Sequence, residues 1–447
     1  MTNGSIAVTL ASALSLLLFA ASSAQGQERW SNAGPIDPVL SLAKSCPLPK
    51  PLSGRINLDP KCYYEQRIVL KKPNTVLDCK GAEIRSVNRA IVITDGASGT
   101  IVRNCRVTSG GSIRVGRHNQ RSRNVISAPR NVLIEHVHVD GAGHDGIYLT
   151  PHVSDTVVRN SIIENTVAVA LYLDHGANNN IIEGNVFRSN GHRSMSIWGL
   201  IPRLRREAIA VDGAYENVIR NNLIESSASG GIRLYKNCWE FAAEKENSVQ
   251  RLDHAHSNKI TRNVIRNTNV GVWIASRQSR DLANWECGDA TPYQNPVNLA
   301  DAYEGMPSAQ SELFWGGHDF NPEYLKHWEN FDFRSPFRQT ASFWLDFAED
   351  TEVTGNDFIN VDVGVRVEDD RAEIRSNRFS GGEIGILVGT PFRARLLDKP
   401  VLDTVISNNS FCADDYQNTD ILLVPGLHKD SVTLNNRLDE DRCGLDS

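Results

Sequence analysis

One short phrase, said again and again, constrains this chain more than any other feature. It reads "TVLDC" at 75–79, "IVRNC" at 101–105, "LIEHV" at 133–137, "VVRNS" at 157–161, "IIEGN" at 181–185 and "VIRNN" at 218–222. It returns as "KITRN" (259–263), "EVTGN" (352–356), "EIRSN" (373–377) and "VISNN" (405–409). Its ends fall 21 to 26 residues apart where nothing intervenes. A fixed period in that range marks a solenoid, in which each repeat buries its apolar side only against its neighbours.

The phrase also says which kind of solenoid. Each copy is a short β-branched run, then a polar residue and often Asn, then a second apolar strand: "GIYL", "ALYL", "AIAV", "GIRL", "GVWI", "GVRV" or "GILV". Strands this short, with side chains alternating in and out, predict an all-β parallel β-helix. Inward Val, Ile and Leu then stack on their copies one turn away, roughly 4.8 Å apart. Asn at the corners tolerates left-handed backbone. Stacking also predicts a Cys79–Cys105 disulfide, because the two hold the same phrase position in consecutive coils.

The organisation read from the repeats has six parts. Residues 1–24 are a signal peptide and 25–71 an N-terminal cap. Coils run over 72–277 and resume over 345–435, separated by an irregular aromatic-rich insertion at 278–344 ("FWGGHDFNPEYLKHWENFDF"). Residues 436–447 are a C-terminal tail. A smaller insertion, "GHRSMSIWGLIPRLRRE" (191–207), carries Trp198 and four arginines.

The leader, "SIAVTLASALSLLLFAASSAQG", is an uncharged apolar run ending in small residues, with Ser22-Ser23-Ala24 as the peptidase site. It predicts export, periplasmic or secreted, with no membrane attachment after cleavage; a retained anchor is the competing reading. Eight cysteines fit an oxidising compartment and fall as Cys46/Cys62, Cys79/Cys105, Cys238/Cys287 and Cys412/Cys443, with no metal-type spacing. A net charge of −6 with mixed signs excludes the basic footprint of a nucleic-acid binder.

Alternation places the chemistry. If Ile147, Leu149, Leu171 and Leu173 point inward, Tyr148 and Tyr172 point outward, one above the other, and the column continues through Ala210, Arg233 and Trp273. Two residues on runs a second column, Thr150, Asp174, Asp212 and Tyr235. Asp145 and Glu207 lie upstream; His152, His175 and Lys236 lie just past the strands. Tyr148, His152, Tyr172, Asp174 and His175 are the expected catalytic residues. Asp145, Asp212, Arg233, Tyr235, Lys236, Arg205 and Arg206 are the expected substrate contacts, and the arginines tilt the substrate towards an anionic polymer. The acidic stretch "VEDDRAE" (367–373) reads as a solvated turn rather than a calcium loop.

Thr150-Pro151-His152 resembles the Asp-Pro-His motif of mannuronan C5-epimerases, with Thr150 where that family has Asp. Asp174 stands one coil later, where the family places a further acid. The repeats are similar to those of the right-handed parallel β-helix superfamily of carbohydrate-active proteins, which includes polysaccharide lyases. The resemblance implies an exported enzyme that removes the C5 proton of a uronate in an acidic polysaccharide or oligosaccharide. A cation, Arg233 or Lys236, would neutralise the substrate carboxylate, His152 or His175 would be the base, and Tyr148 or Tyr172 the proton donor. Reprotonation at C5 gives an epimerase and loss of the glycosidic oxygen a lyase. A glycoside hydrolase using Asp174 and Asp212 and a non-catalytic glycan-binding or scaffold protein are the alternatives. No motif demands a cofactor, and none reports on calcium.

Overall fold

The computed structural model describes residues 44–117, 127–192, 205–236, 253–275, 348–389, 400–412 and 416–438, with backbone alone at 416–419. Four two-residue strands, Gln278–Ser279, Val297–Asn298, Arg338–Gln339 and Ser342–Phe343, are also described as backbone. The leader, Cys238, Cys287 and Cys443 lie outside the described residues.

Every phrase becomes a three-residue strand, and these strands stack in parallel into one continuous face. Its members include Val76–Asp78, Ile101–Arg103, Leu133–Glu135, Val157–Arg159, Ile181–Glu183 and Val218–Arg220. The "GIYL" strands stack in parallel too, through Gly111–Val115, Ile147–Leu149, Leu171–Leu173, Glu207–Asp212 and Gly230–Tyr235. Between them lies a strand that alternation did not separate from the phrase, such as Ile162–Glu164 or Val186–Arg188. Each coil thus has three sides. The stacked strands begin at Lys44–Ser45 and end at Arg437–Leu438.

The corner after the phrase explains its final Asn. Its first residue takes left-handed backbone, filled by Gly184, Asn221, Arg262, Gly355 or Ser376 (φ from 52° to 66°). The next residue is a buried Asn that donates to the same Asn one coil on. The bonds run Asn185–Asn222 (3.1 Å), Asn222–Asn263 (2.9 Å), Asn263–Asn356 (3.0 Å), Asn356–Asn377 (3.0 Å), Asn377–Asn409 (3.0 Å) and Asn409–Asn436 (2.9 Å). A ladder of amides therefore satisfies polar groups that a buried corner would otherwise strand.

Asn263–Asn356 bridges the large insertion, so the coil resumes in register beyond it. At the insertion's base the described strands pair antiparallel, Gln278–Ser279 with Ser342–Phe343 and Val297–Asn298 with Arg338–Gln339. That is unlike any coil.

Inside, one apolar core runs the length of the described coils. Phe358, Phe379 and Phe411 stack in it with ring centroids 4.8 and 4.9 Å apart, the spacing of the coils themselves. Cys79 and Cys105 are bonded, as stacking requires, with α-carbons 4.8 Å apart. Cys46 and Cys62 are bonded as well, and Cys412 is in a disulfide.

Candidate functional site

The third face carries the expected tyrosine column residue for residue, and one step of the second column. Tyr148 pairs with Tyr172, Tyr172 with Ala210, Ala210 with Arg233, and Arg233 with Trp273; Asp212 pairs with Tyr235. The column is longer than its sequence reading. Arg114 precedes Tyr148, and Arg366 follows Trp273.

Two tyrosine–aspartate pairs repeat down this face. The Tyr148 hydroxyl donates to Asp174 Oδ2 and the Tyr172 hydroxyl to Asp212 Oδ2. Each phenol thus reaches one coil on, and the two rings meet edge to face at 5.4 Å. Asp174 Oδ1 also accepts the His175 amide at 2.8 Å. Above the first pair, the Arg114 guanidinium lies 5.0 Å from the Tyr148 ring centre. Burial pulls the Arg114 guanidinium below its ordinary value, opposed by Tyr148 and Asp174.

The histidines sit where the face turns its corner. Their rings lie 5.3 Å apart, edge to face, and the His152 amide donates to the His175 carbonyl at 3.0 Å. Both converge on Asp253, whose Oδ2 is 3.4 Å from His175 Nε2 and 3.9 Å from His152 Nδ1. The other ring nitrogens, His152 Nε2 and His175 Nδ1, are buried. No repeat phrase contains Asp253, so sequence reasoning had no handle on it.

Burial corrects the expectation of an open surface patch. Asp174, His175, Asp212, Tyr235 and Lys236 are all buried; Tyr148, Tyr172, His152 and Arg233 are half-buried. The outward column carries an apolar cluster of its own, including Val169, Ala210, Tyr235, Trp273, Val363 and Leu387. Outward from the coil is therefore not the same as exposed.

Several expected substrate contacts are engaged elsewhere. Arg206 donates to Glu207 and to the Tyr235 hydroxyl, each at 3.0 Å. Burial opposes charge on Glu207, but Arg206 and Arg233 outweigh it and hold the carboxyl down at about 2. Arg233 stacks on Trp273 at 4.2 Å, and Arg366 does the same. Asp145 hydrogen-bonds exposed His144 at 2.7 Å. Arg205 is exposed and lines a recess of about 470 Å³ with His192 and Ser226. Arg205 and Asp145 precede the strands of the third face while His152 and His175 follow them, so the structure separates these two groups.

A basic recess lies among residues outside the expected site. Arg67, Lys71, Arg89, Arg114 and Arg117 line a recess of about 350 Å³. It continues the tyrosine column, since Val69 pairs with Val92 and Val92 with Arg114. The signal was present in "QRIVLK", "NRAIVI" and "SIRVGR", where basic residues flank strands of the same face.

The later coils also hold more than expected. Glu368, Asp369 and Asp370 are buried rather than solvated. Asp369 accepts the Ala348 and Asp370 amides (2.9 and 3.0 Å), Asp370 accepts the Leu402 amide (2.8 Å), and Glu368 takes the Arg366 guanidinium at 2.8 Å. The stretch ties three segments of backbone together.

Residues 67–240 match the family model described as a right handed beta helix region. With three stacked parallel faces already in view, that decides the fold. The chain is a right-handed parallel β-helix. Among solved structures, this β-helix is similar to the mannuronan C-5 epimerase AlgE4 A-module of Azotobacter vinelandii (12% identity, TM-score 0.46, covering 86% of this chain and 87% of that one). It is also similar to an alginate lyase from Paenibacillus sp. str. FPU-7 (11%, TM-score 0.39, 80% and 89%). A third is the catalytic domain of a GH87 alpha-1,3-glucanase (11%, TM-score 0.43, 90% and 69%). Comparison with curated proteins gives no match. No helix among the described residues is long and apolar enough to cross a membrane, and the disulfides fit a compartment outside the cytoplasm.

Proposed function

We propose that this β-helix is an exported enzyme that removes the C5 proton of a uronate residue in an acidic glycan, acting as a lyase or a C5-epimerase. One observation carries the reading. A recess lined by five basic side chains ends at Arg114, whose guanidinium lies 5.0 Å from the ring centre of Tyr148, and the Tyr148 hydroxyl is held by Asp174.

The C5–H bond of a uronate is a weak acid, and the carboxylate beside it resists a second negative charge. A carboxylate seated in the basic recess has that charge offset by Arg114 and its neighbours. Its C5 then lies near the Tyr148 end of the column. His152 takes the proton on Nδ1, the nitrogen that faces Asp253, and the carboxylate steadies the imidazolium that forms. Tyr148 returns a proton from the other side and is reprotonated from solvent. Delivery to C5 inverts the sugar. Delivery to the leaving glycosidic oxygen instead breaks the C4–O bond and leaves a C4–C5 double bond.

The hydrolase alternative needs two carboxylates facing a substrate, and Asp174 and Asp212 are buried and hydrogen-bonded to tyrosines. A non-catalytic glycan-binding or scaffold protein is the alternative from another class, and the same basic recess would serve it. Incubation with polymannuronate, polygalacturonate and glucuronan separates these readings. A lyase yields ultraviolet-absorbing unsaturated ends, an epimerase incorporates solvent deuterium at C5, and a hydrolase yields reducing ends without unsaturation. Glycan binding without turnover leaves the scaffold.

A further inference from the structure

Three donor atoms from three different coils meet at the corner of the third face: His152 Nδ1, His175 Nε2 and Asp253 Oδ2, all within 4.8 Å of one another. We propose that they form a binding site for a zinc-class divalent cation. The donor set suits such an ion, since two imidazoles and one carboxylate leave a fourth position open to water.

The spacing is close to what an ion requires. Donors about 2.0–2.2 Å from one tetrahedral zinc ion lie about 3.4 Å from each other. His175 Nε2 and Asp253 Oδ2 are already at 3.4 Å. His152 Nδ1 stands slightly wide, at 3.9 Å from the same oxygen. His152 and Asp253 are 26% and 34% exposed, against 3% for His175, so the two that must close the gap are the two with room to move.

The backbone makes space for the convergence. Gly176 has φ +68°, and a Cβ there would fall 2.4 Å from His152 Nδ1 and 2.7 Å from Asp253 Oδ2. Any side chain at 176 would push the imidazole and the carboxylate apart. The other three-donor group among the described residues, His138, Asp140 and Glu164, is closed by hydrogen bonds within it and to Asn165. His138 Nε2 hydrogen-bonds Glu164 at 2.7 Å, and Asp140 accepts from Asn165.

An ion at this site takes the His152 nitrogen that the proposed proton transfer uses. Zinc therefore inhibits turnover, and chelation restores it. Binding itself does not depend on the proton-abstraction reading; only the consequence for turnover rests on it.

The test is calorimetric titration of the chelator-treated chain with zinc chloride in a non-coordinating buffer. One equivalent should bind, and D253N and H152A should each weaken that binding at least about tenfold. H138A should leave it unchanged. Zinc should raise the melting temperature of the wild type but not of D253N, a readout that also reveals any variant that fails to fold. Absence of saturable binding, or an affinity in D253N and H152A equal to that of the wild type, overturns the proposal. Zinc binding lost in D253N, in a protein inert towards every uronan, upholds the site and removes the proton-abstraction reading.

Discussion

The Tyr148 hydroxyl donates to Asp174 one coil further on, and Tyr172 repeats the bond to Asp212. The repetition makes the two pairs a natural experiment. Only the Tyr148 pair borders the basic recess, through Arg114.

Tyr148→Phe should lower turnover on a uronan by roughly 10²- to 10⁴-fold through loss of the proton donor. Tyr172→Phe should cost far less activity. Both leave a buried carboxylate short of a donor, so both should lose about 1–3 kcal/mol in chemical denaturation. Equal loss of activity in the two variants would point to structure rather than chemistry.

The asparagine ladder should behave as a stability element. Asn222 is fully buried; it donates to Asn263 and to the Ile182 carbonyl at 2.9 Å, and accepts from Asn185. Asn222→Ala leaves several of these groups unmet and should cost about 3 kcal/mol. Ser112→Ala, which removes an exposed hydrogen bond to the Asn88 carbonyl, should stay within about 0.5 kcal/mol.

The Cys79–Cys105 disulfide closes a loop with a sequence separation of 26. Replacing both by Ser should lower stability by about 3 kcal/mol under non-reducing conditions, chiefly by loosening the unfolded chain. Denaturant midpoints of the two proteins, with and without reductant, check this.

Acid should find a weak point at Glu207. Its carboxyl is held at about 2 against an ordinary 4.5, so the folded state favours the charged form. The stabilisation is fully present above about pH 4.5 and fades as pH falls through 4.5 towards 2. Glu207→Gln leaves Arg206 facing a neutral partner and should cost about 3–5 kcal/mol at neutral pH. The gap between variant and wild type should narrow below pH 4.5; a gap independent of pH would remove the ion pair as its cause.

How much of this could be read from the chain depends on what a repeat encodes. Tyr148 and Tyr172 were found because identical flanks recur with them, and register follows from period alone. Arg114 sits in the same column, but "SIRVG" leads into a stretch that breaks the period. Arg366, in "GVRV", continues the column one coil past Trp273. Asp253 belongs to no phrase. Burial was illegible for a physical reason: alternation tells which way a side chain leaves the strand, not whether other side chains cover it. Asp212 and Tyr235 hold outward positions on their strands and are nonetheless buried.

Solvent exchange at C5 bears most directly on the proposed chemistry. Polymannuronate, polygalacturonate and glucuronan would be incubated with the wild type, H152A and Y148F in deuterated water and followed by proton NMR. The expected result is deuterium at C5, or unsaturated ends, on one of these polymers with the wild type and at most traces with either variant. Neither product on any uronan from a folded, glycan-binding wild type, or undiminished exchange in H152A and Y148F, would contradict it.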